Sequence, residues 1–378
     1  ERYDNFTRFC RHNAEWLEDF GLFMAIKDAF NNQPWSDWPE SLRRHQPDAI
    51  AAWRDSHAAQ CDLYKYQQYV FYEQWQKLKR YANSKGIRIF GDIPIFVAYD
   101  SADVWANQHL FQLDAEGMPL AVAGVPPDYF SSTGQRWGNP LYNWQAHLAE
   151  DFHWWTRRFI HQLQQCDMIR IDHFRGFQAC WSIPAGEKTA VNGHWEEAPG
   201  RKLLEKLQTI NAKMPIIAED LGVITEDVEE LRDDFGLPGM NILQFAFDSG
   251  PDNPYLPENQ AVNSVVYTGT HDNDTTLGWW RSLPQAEKTQ VRDYLGKRRP
   301  EMPWDLIELA MASPARLCII PCQDILGLDK SARFNTPGRA TGNWQWQLSH
   351  EVLTSDLARR LRKLTARHHR YEDKNPRY

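Results

Sequence analysis

Across residues 1–85 the apolar positions recur at helical spacing: Trp16, Phe20 and Phe23 share a face, as do Leu63, Tyr66, Val70 and Leu78, and Pro34 and Pro39 interrupt the middle. This pattern predicts a helical, aromatic-rich segment. From Gly86 onward it changes to short apolar runs at residues 87–97, 168–171, 215–218, 241–247, 265–268 and 317–321, which read as six strands. Amphipathic stretches at 151–165, 201–211, 225–235 and 285–298 fall between the runs and predict helices. Strands alternating with helices predict an α/β fold with parallel pairing. The stretch 100–144 is rich in Gly, Pro and aromatic residues and too long for an ordinary connection, so it is expected to be a loop covering a site. The basic end, Arg367-His368-His369-Arg370, is expected to fray as a solvated tail.

Length leaves one large domain or two medium ones open, since 378 residues is within reach of a single large α/β unit. Charge narrows the partners. A net charge of -8 argues against nucleic acid and anionic lipid surfaces. No apolar run approaches the ~20 residues of a membrane span, and the first residues carry no signal-peptide core, so a cytoplasmic protein is expected, or a plastid one if the source is a plant. Six cysteines without a CxxC pair offer neither a zinc cage nor a disulfide framework and fit a reducing compartment. The unusual quantity is aromatic: 17 Trp, 14 Tyr and 18 Phe, with many Trp in polar stretches. Flat rings beside polar groups suit sugars, although they also fill large cores.

Three of the short strands run into acids: Arg170-Ile171-Asp172, Ala218-Glu219 and Thr270-His271-Asp272. In parallel α/β folds ligands sit at the carboxyl ends of strands, so the three are expected to converge, with Asp92 in the first run as a fourth acid. Alternation puts Arg170 and Asp172 on one face of their strand and Ile169 and Ile171 on the other. A buried guanidinium needs partners, and it would hold Asp172 ionised, as a nucleophile must be. Glu219 needs the reverse: a proton retained near neutrality through burial and the nearby charge of Asp172. Asp220 points to the other face and is not counted. The plain alternative for each acid is a salt bridge or a helix N-cap. Paired carboxylates of unequal pKa are the equipment for cleaving glycosidic bonds, and a third can stabilise an oxocarbenium-like transition state.

The segments Arg170-Ile171-Asp172-His173-Phe174-Arg175-Gly176, Ala218-Glu219-Asp220-Leu221-Gly222 and Thr270-His271-Asp272-Asn273-Asp274 resemble, in order and spacing, the signatures of the amylomaltases. These are the 4-α-glucanotransferases, or disproportionating enzymes, of glycoside hydrolase family 77, relatives of the α-amylases. Also similar are residues 91–97, the stretches Gly124-Val125-Pro126-Pro127-Asp128-Tyr129-Phe130 and Arg136-Trp137-Gly138-Asn139-Pro140, Pro238-Gly239-Met240 and Asn335-Thr336-Pro337-Gly338. The resemblance spans nearly the whole chain. It implies a (β/α)8 TIM barrel with helical insertions, of which 86–378 would form strands three to eight and 1–85 an insertion. Strands one and two find no counterpart in this sequence, which is therefore expected to be part of a longer protein. The resemblance further implies Asp172 as nucleophile, Glu219 as acid/base and Asp272 as transition-state stabiliser, with Arg170 and His271 as close supporters; Asp92 is expected among the substrate-binding residues. It assigns the loop around Asp128, Tyr129 and Trp137 to a lid over the acceptor side and puts Phe245 near the glucan; Asn139 is expected among the substrate-binding residues. For Trp137 a packed loop anchor is the alternative.

The expected activity is a retaining transfer of α-1,4-glucan segments between maltooligosaccharides. An α-amylase-like hydrolase would use the same three acids with water as acceptor, and a non-catalytic glucan-binding fragment is the alternative from another class. No metal or cofactor is expected. Asp272-Asn273-Asp274 resembles the start of a calcium loop, but Leu277 and Leu283 stand where Gly and Glu are needed. Phosphate-cradling glycine motifs are absent from the sequence.

Overall fold

The computed structural model describes residues 2–128, 131–339 and 341–371, which fall into two compact units, 1–235 and 236–378. In the first unit the helical spacing of the N-terminal segment becomes a series of helices, the longest being Ala14–Ala29 and Ala58–Ser84. The former buries Leu17, Leu22, Phe23, Ala25 and Ile26 and packs along the latter. Lys65, buried within that seam, places its Nζ 2.7 and 2.8 Å from the two oxygens of Glu18, the pairing a buried ammonium requires. Pro34 opens a 3-10 turn at Trp35–Asp37, and Pro47 starts the helix Pro47–Ser56, where its missing N–H costs nothing.

Ten strands follow among the described residues: β1 Phe90–Pro94, β2 Ala121–Val125, β3 Gln135–Pro140, β4 Met168–Asp172, β5 Ala179–Pro184, β6 His194–Glu197, β7 Ile216–Ala218, β8 Gly239–Ile242, β9 Ser264–Tyr267 and β10 Leu317–Ile319. In the first unit β1, β4 and β7 pair in parallel in the order β1-β4-β7. Their outer face is apolar, with Ile93, Ile169, Ile171 and Ile216 buried. Gly91 lets β1 pass Cys166, since a Cβ there would lie 2.3 Å from Sγ.

The stretch 100–144 is not the loop its composition predicts. It holds the helix Ala102–Ala106 and strands β2 and β3, which join β5 and β6 in an antiparallel sheet of order β3-β2-β5-β6. A second sheet beside the parallel one supplies the backbone partners that so long a connection needs.

In the second unit β8, β9 and β10 pair in parallel. The run at 241–247 is strand only to Ile242, after which the chain turns into the 3-10 segment Leu243–Phe245. Both six-strand expectation and parallel pairing therefore hold, in two three-stranded sheets, neither of which closes on itself. The basic end is not a frayed tail through Arg370: the helix Ser355–Arg367 packs Leu364 against Trp304, Ile307 and Met311. Arg370 then donates from Nε to the Met311 carbonyl at 2.7 Å and from Nη2 to that of Ser313 at 2.5 Å, satisfying carbonyls at the end of helix Trp304–Ala312.

Candidate active site

In the first unit the carboxyl ends of the parallel strands carry a connected set of charges. The register sets Asp92 of β1 opposite Arg170 of β4, and Ile171 opposite Ala218 of β7. Arg170 is buried, at 7% exposure, and its guanidinium forks: Nη1 lies 2.5 Å from Asp92 Oδ2 and Nη2 2.7 Å from Asp172 Oδ1. A planar fork with a charge on each prong suits arginine alone among the basic residues. Both carboxylates are more open than the arginine beneath them, with side-chain exposures of 42% and 44%.

Glu219 follows β7 directly. Its N–H donates to the Ile171 carbonyl at 3.0 Å and its carbonyl accepts from Phe174 N–H at 3.0 Å, so the ladder continues and Glu219 stands alongside Asp172. Its Oε2 accepts from His173 N–H at 2.6 Å and its Oε1 from Leu221 N–H at 3.3 Å. Burial pushes its carboxyl up to about 7, and the charge of Asp172 adds to that, while Arg170 and the His173 N–H pull the other way. Desolvation wins because the two backbone donors only partly replace the water a carboxylate loses. Asp220 turns away and pairs with Arg232 at 2.5 Å.

His173, which sequence reasoning passed over, is the hinge of this set. Its φ of 54° is left-handed, and that backbone turn aims its N–H at Glu219. Its ring lies edge-on to Trp137 at 4.8 Å, and Trp137 on β3 remains 39% exposed. Burial holds the His173 imidazole down at about 4, so it is neutral at physiological pH. Trp137 is thus joined to Glu219 through one residue, whose ring meets the indole and whose main-chain N–H meets the carboxyl. Asn139 donates from Nδ2 to the Val97 carbonyl at 2.9 Å, tying β3 to the segment after β1. Asp128 accepts at Oδ1 from Ser131 N–H at 2.7 Å and closes its own turn. Tyr129 lies outside the described residues.

In the second unit Asp272 follows β9 and is held by the loop that carries Asn335. Asn335 Nδ2 donates to Asp272 Oδ1 at 2.6 Å, and Arg333 Nη2 to the Asp272 carbonyl at 2.6 Å. His271 Nε2 is 3.3 Å from Asp272 Oδ2, and the His271 carbonyl accepts from Asn335 N–H at 3.1 Å. Beneath them Asp324, fully buried, accepts from Thr268 Oγ1, Thr276 N–H and Thr276 Oγ1, each at 2.7 Å, and fixes the two ends of the turn. Phe245 is 37% exposed and rests edge-on against Tyr255. Asn335 stands in the Asn-Thr-Pro-Gly motif, a signal that marked the segment without naming its role. Arg333 carried no signal. Among the described residues no group of three or more His, Cys, Asp or Glu is placed to hold a metal, and no helix is long and apolar enough to cross a membrane.

A forked arginine under two carboxylates, with a glutamic acid of raised pKa alongside, is equipment that can supply a nucleophile and a proton. Residues 1–354 match the family model described as 4-alpha-glucanotransferase. The chain belongs to that family. A 4-alpha-glucanotransferase of Thermus thermophilus is 50% identical over 372 residues, covering 96% of this chain and 74% of that protein. The chloroplastic/amyloplastic 4-alpha-glucanotransferase of Solanum tuberosum is 47% identical, covering 96% of this chain and 63% of that protein. Among solved structures, the amylomaltase of Streptococcus agalactiae in complex with acarbose superposes with a TM-score of 0.93 at 38% identity, covering 97% of this chain and 74% of that one. The α/β architecture is therefore that of the amylomaltases.

Proposed function

We propose that this protein is a 4-α-glucanotransferase that moves α-1,4-glucan segments between maltooligosaccharides through a covalent intermediate on Asp172. The observation that carries the reading is the coupled set Arg170, Asp172 and Glu219: an acid half-protonated near pH 7 beside a carboxylate paired to a buried arginine. Glu219 gives its proton to the glycosidic oxygen as Asp172 attacks the anomeric carbon. The C–O bond breaks, the reducing-end fragment departs as an alcohol, and a glucosyl ester of Asp172 forms.

Burial is the main cause of the raised Glu219 pKa, and esterification removes the Asp172 charge that adds to it, so Glu219, its proton already given to the leaving group, now holds a proton less tightly and stays ionised, ready to act as base. It takes the proton of an acceptor 4-hydroxyl, whose oxygen attacks the anomeric carbon and releases the Asp172 carboxylate. Two inversions leave the α configuration intact. The double displacement requires the carboxyls of Asp172 and Glu219, which stand at the ends of the neighbouring strands β4 and β7, to lie roughly 5–5.5 Å apart, against the ~6.5–9.5 Å of inverting enzymes.

Asp272, held by Asn335, takes the part of transition-state stabiliser, with His271 beside it; Asp92 and Phe245 complete the substrate contacts. The segment carrying Asp128, Tyr129, Trp137 and Asn139 excludes water so that a sugar hydroxyl, not water, intercepts the ester. The six parallel strands correspond in this reading to strands three to eight of a (β/α)8 barrel, a view supported by their order and the close superposition on the amylomaltase. The setting is the cytoplasm, or a plastid in a plant. Maltotriose tests the activity: transfer yields glucose and chains longer than the substrate, hydrolysis yields glucose and maltose without elongation, and an Asp172→Asn protein that still disproportionates would end the mechanism.

A further inference from the structure

Trp344 occupies the left-handed region, at φ 59°, where a bulky side chain is strained and where persistence of the strain points to use of the residue. It is not strained for the sake of a core, because 59% of it is exposed. Its indole is nevertheless held from two sides. The His271 ring lies 5.2 Å away at 40°, and the Phe334 ring 5.1 Å away at 60°, with Trp346 edge-on behind Phe334 at 6.0 Å.

The backbone is pinned as firmly. Trp344 N–H donates to the Phe334 carbonyl at 2.8 Å, Thr336 N–H to Asn343 Oδ1 at 3.0 Å, and Asn343 Nδ2 to the Arg339 carbonyl at 2.9 Å. The loop so closed is the one whose Asn335 and Arg333 grip Asp272. One segment therefore fixes a carboxylate and presents an open aromatic face through the histidine beside it.

We propose that Trp344 is a sugar-stacking platform, taking the apolar C–H face of one glucose ring of an α-1,4-glucan bound at Asp272. The proposal rests on the reading of this protein as a glucan-transferring enzyme. An exposed, rigid indole offers a large apolar face at little cost in side-chain freedom, and the hydroxyls of the ring stay at its rim where water and polar side chains reach them.

The test uses the full-length Asp172→Asn protein, in which glucan binds without turnover, labelled with 5-fluorotryptophan. The Trp344 resonance in the fluorine spectrum is assigned by its disappearance in Asp172→Asn/Trp344→Phe. Titration with maltoheptaose is expected to shift that resonance along the binding isotherm, and Asp172→Asn/Trp344→Ala is expected to bind about tenfold more weakly. A resonance that stays put at saturation, or an affinity unchanged in the alanine protein, overturns the role of Trp344 while leaving the enzyme reading intact. If the Asp172→Asn protein binds no maltoheptaose at all, the reading beneath it falls instead.

Discussion

Replacing Glu219 by Gln isolates the electrostatic feature on which the chemistry depends. Burial and the neighbouring Asp172 raise this carboxyl from an ordinary 4.5 to about 7, worth roughly 3 kcal/mol at about 1.4 kcal/mol per pH unit. The sign follows from the two states. Below about pH 4.5 both folded and unfolded chains hold the proton and nothing is lost; from there to pH 7 only the unfolded chain ionises, so folding stability falls as pH rises; above 7 the whole penalty is present. Glutamine does not titrate and escapes it. It does set an amide N–H₂ against either the His173 or the Leu221 N–H, a loss of about 1–3 kcal/mol that is the same at every pH. The stability difference between the two proteins should therefore move by roughly 3 kcal/mol in favour of Gln between pH 4.5 and 8. The assay is urea unfolding of both at several pH values, with the infrared difference spectrum of native wild type minus Glu219→Gln read in parallel. The protonated-carboxyl band in that spectrum should halve near pH 7. A stability gap that does not change with pH, or a band already gone by pH 5.5, would refute the reasoning.

Arg170→Met should cost about 1–3 kcal/mol in stability, less than a fully buried pair because Asp92 and Asp172 are each more than a third exposed, and thermal melting checks it. Since Arg170 also pulls the Glu219 pKa down, the basic limb of any residual activity should move to higher pH. Asn335→Ala removes a charge-assisted bond to Asp272 and is expected to lower kcat by about ten- to a hundredfold with KM within about twofold, measured on maltotriose. Trp137→Ala opens the wall above His173 and should raise the ratio of hydrolysis to transfer by about threefold or more, read from maltose yield against chain elongation.

The parallel strands were legible as short, mostly apolar runs, with Asp172 and Glu219 standing where two of them stop and Asp272 four residues beyond the run at 265–268. The same logic misled at 241–247, where the apolar run outlasts the strand: Leu243, Ala246 and Phe247 are buried by a turn that a run of hydrophobic residues cannot distinguish from extended chain. β3, Gln135–Pro140, has no apolar run at all and is a strand because β2 offers it backbone partners from elsewhere in the chain. The contribution of His173 lies in a left-handed φ and a main-chain N–H, neither of which its side-chain chemistry announces. At Arg370 composition pointed to solvent, whereas the guanidinium is bound to helix-end carbonyls that only tertiary structure brings to it.

The covalent step can be observed. The Glu219→Gln protein, given α-maltotriosyl fluoride, needs no acid to expel fluoride but lacks the base for the acceptor hydroxyl, so the ester should accumulate. Intact-mass spectrometry is predicted to show the enzyme heavier by one maltotriosyl group, with the peptide bearing it mapped to Asp172. Fluoride release without an adduct, or an adduct on any other residue, would contradict a double displacement through that carboxylate.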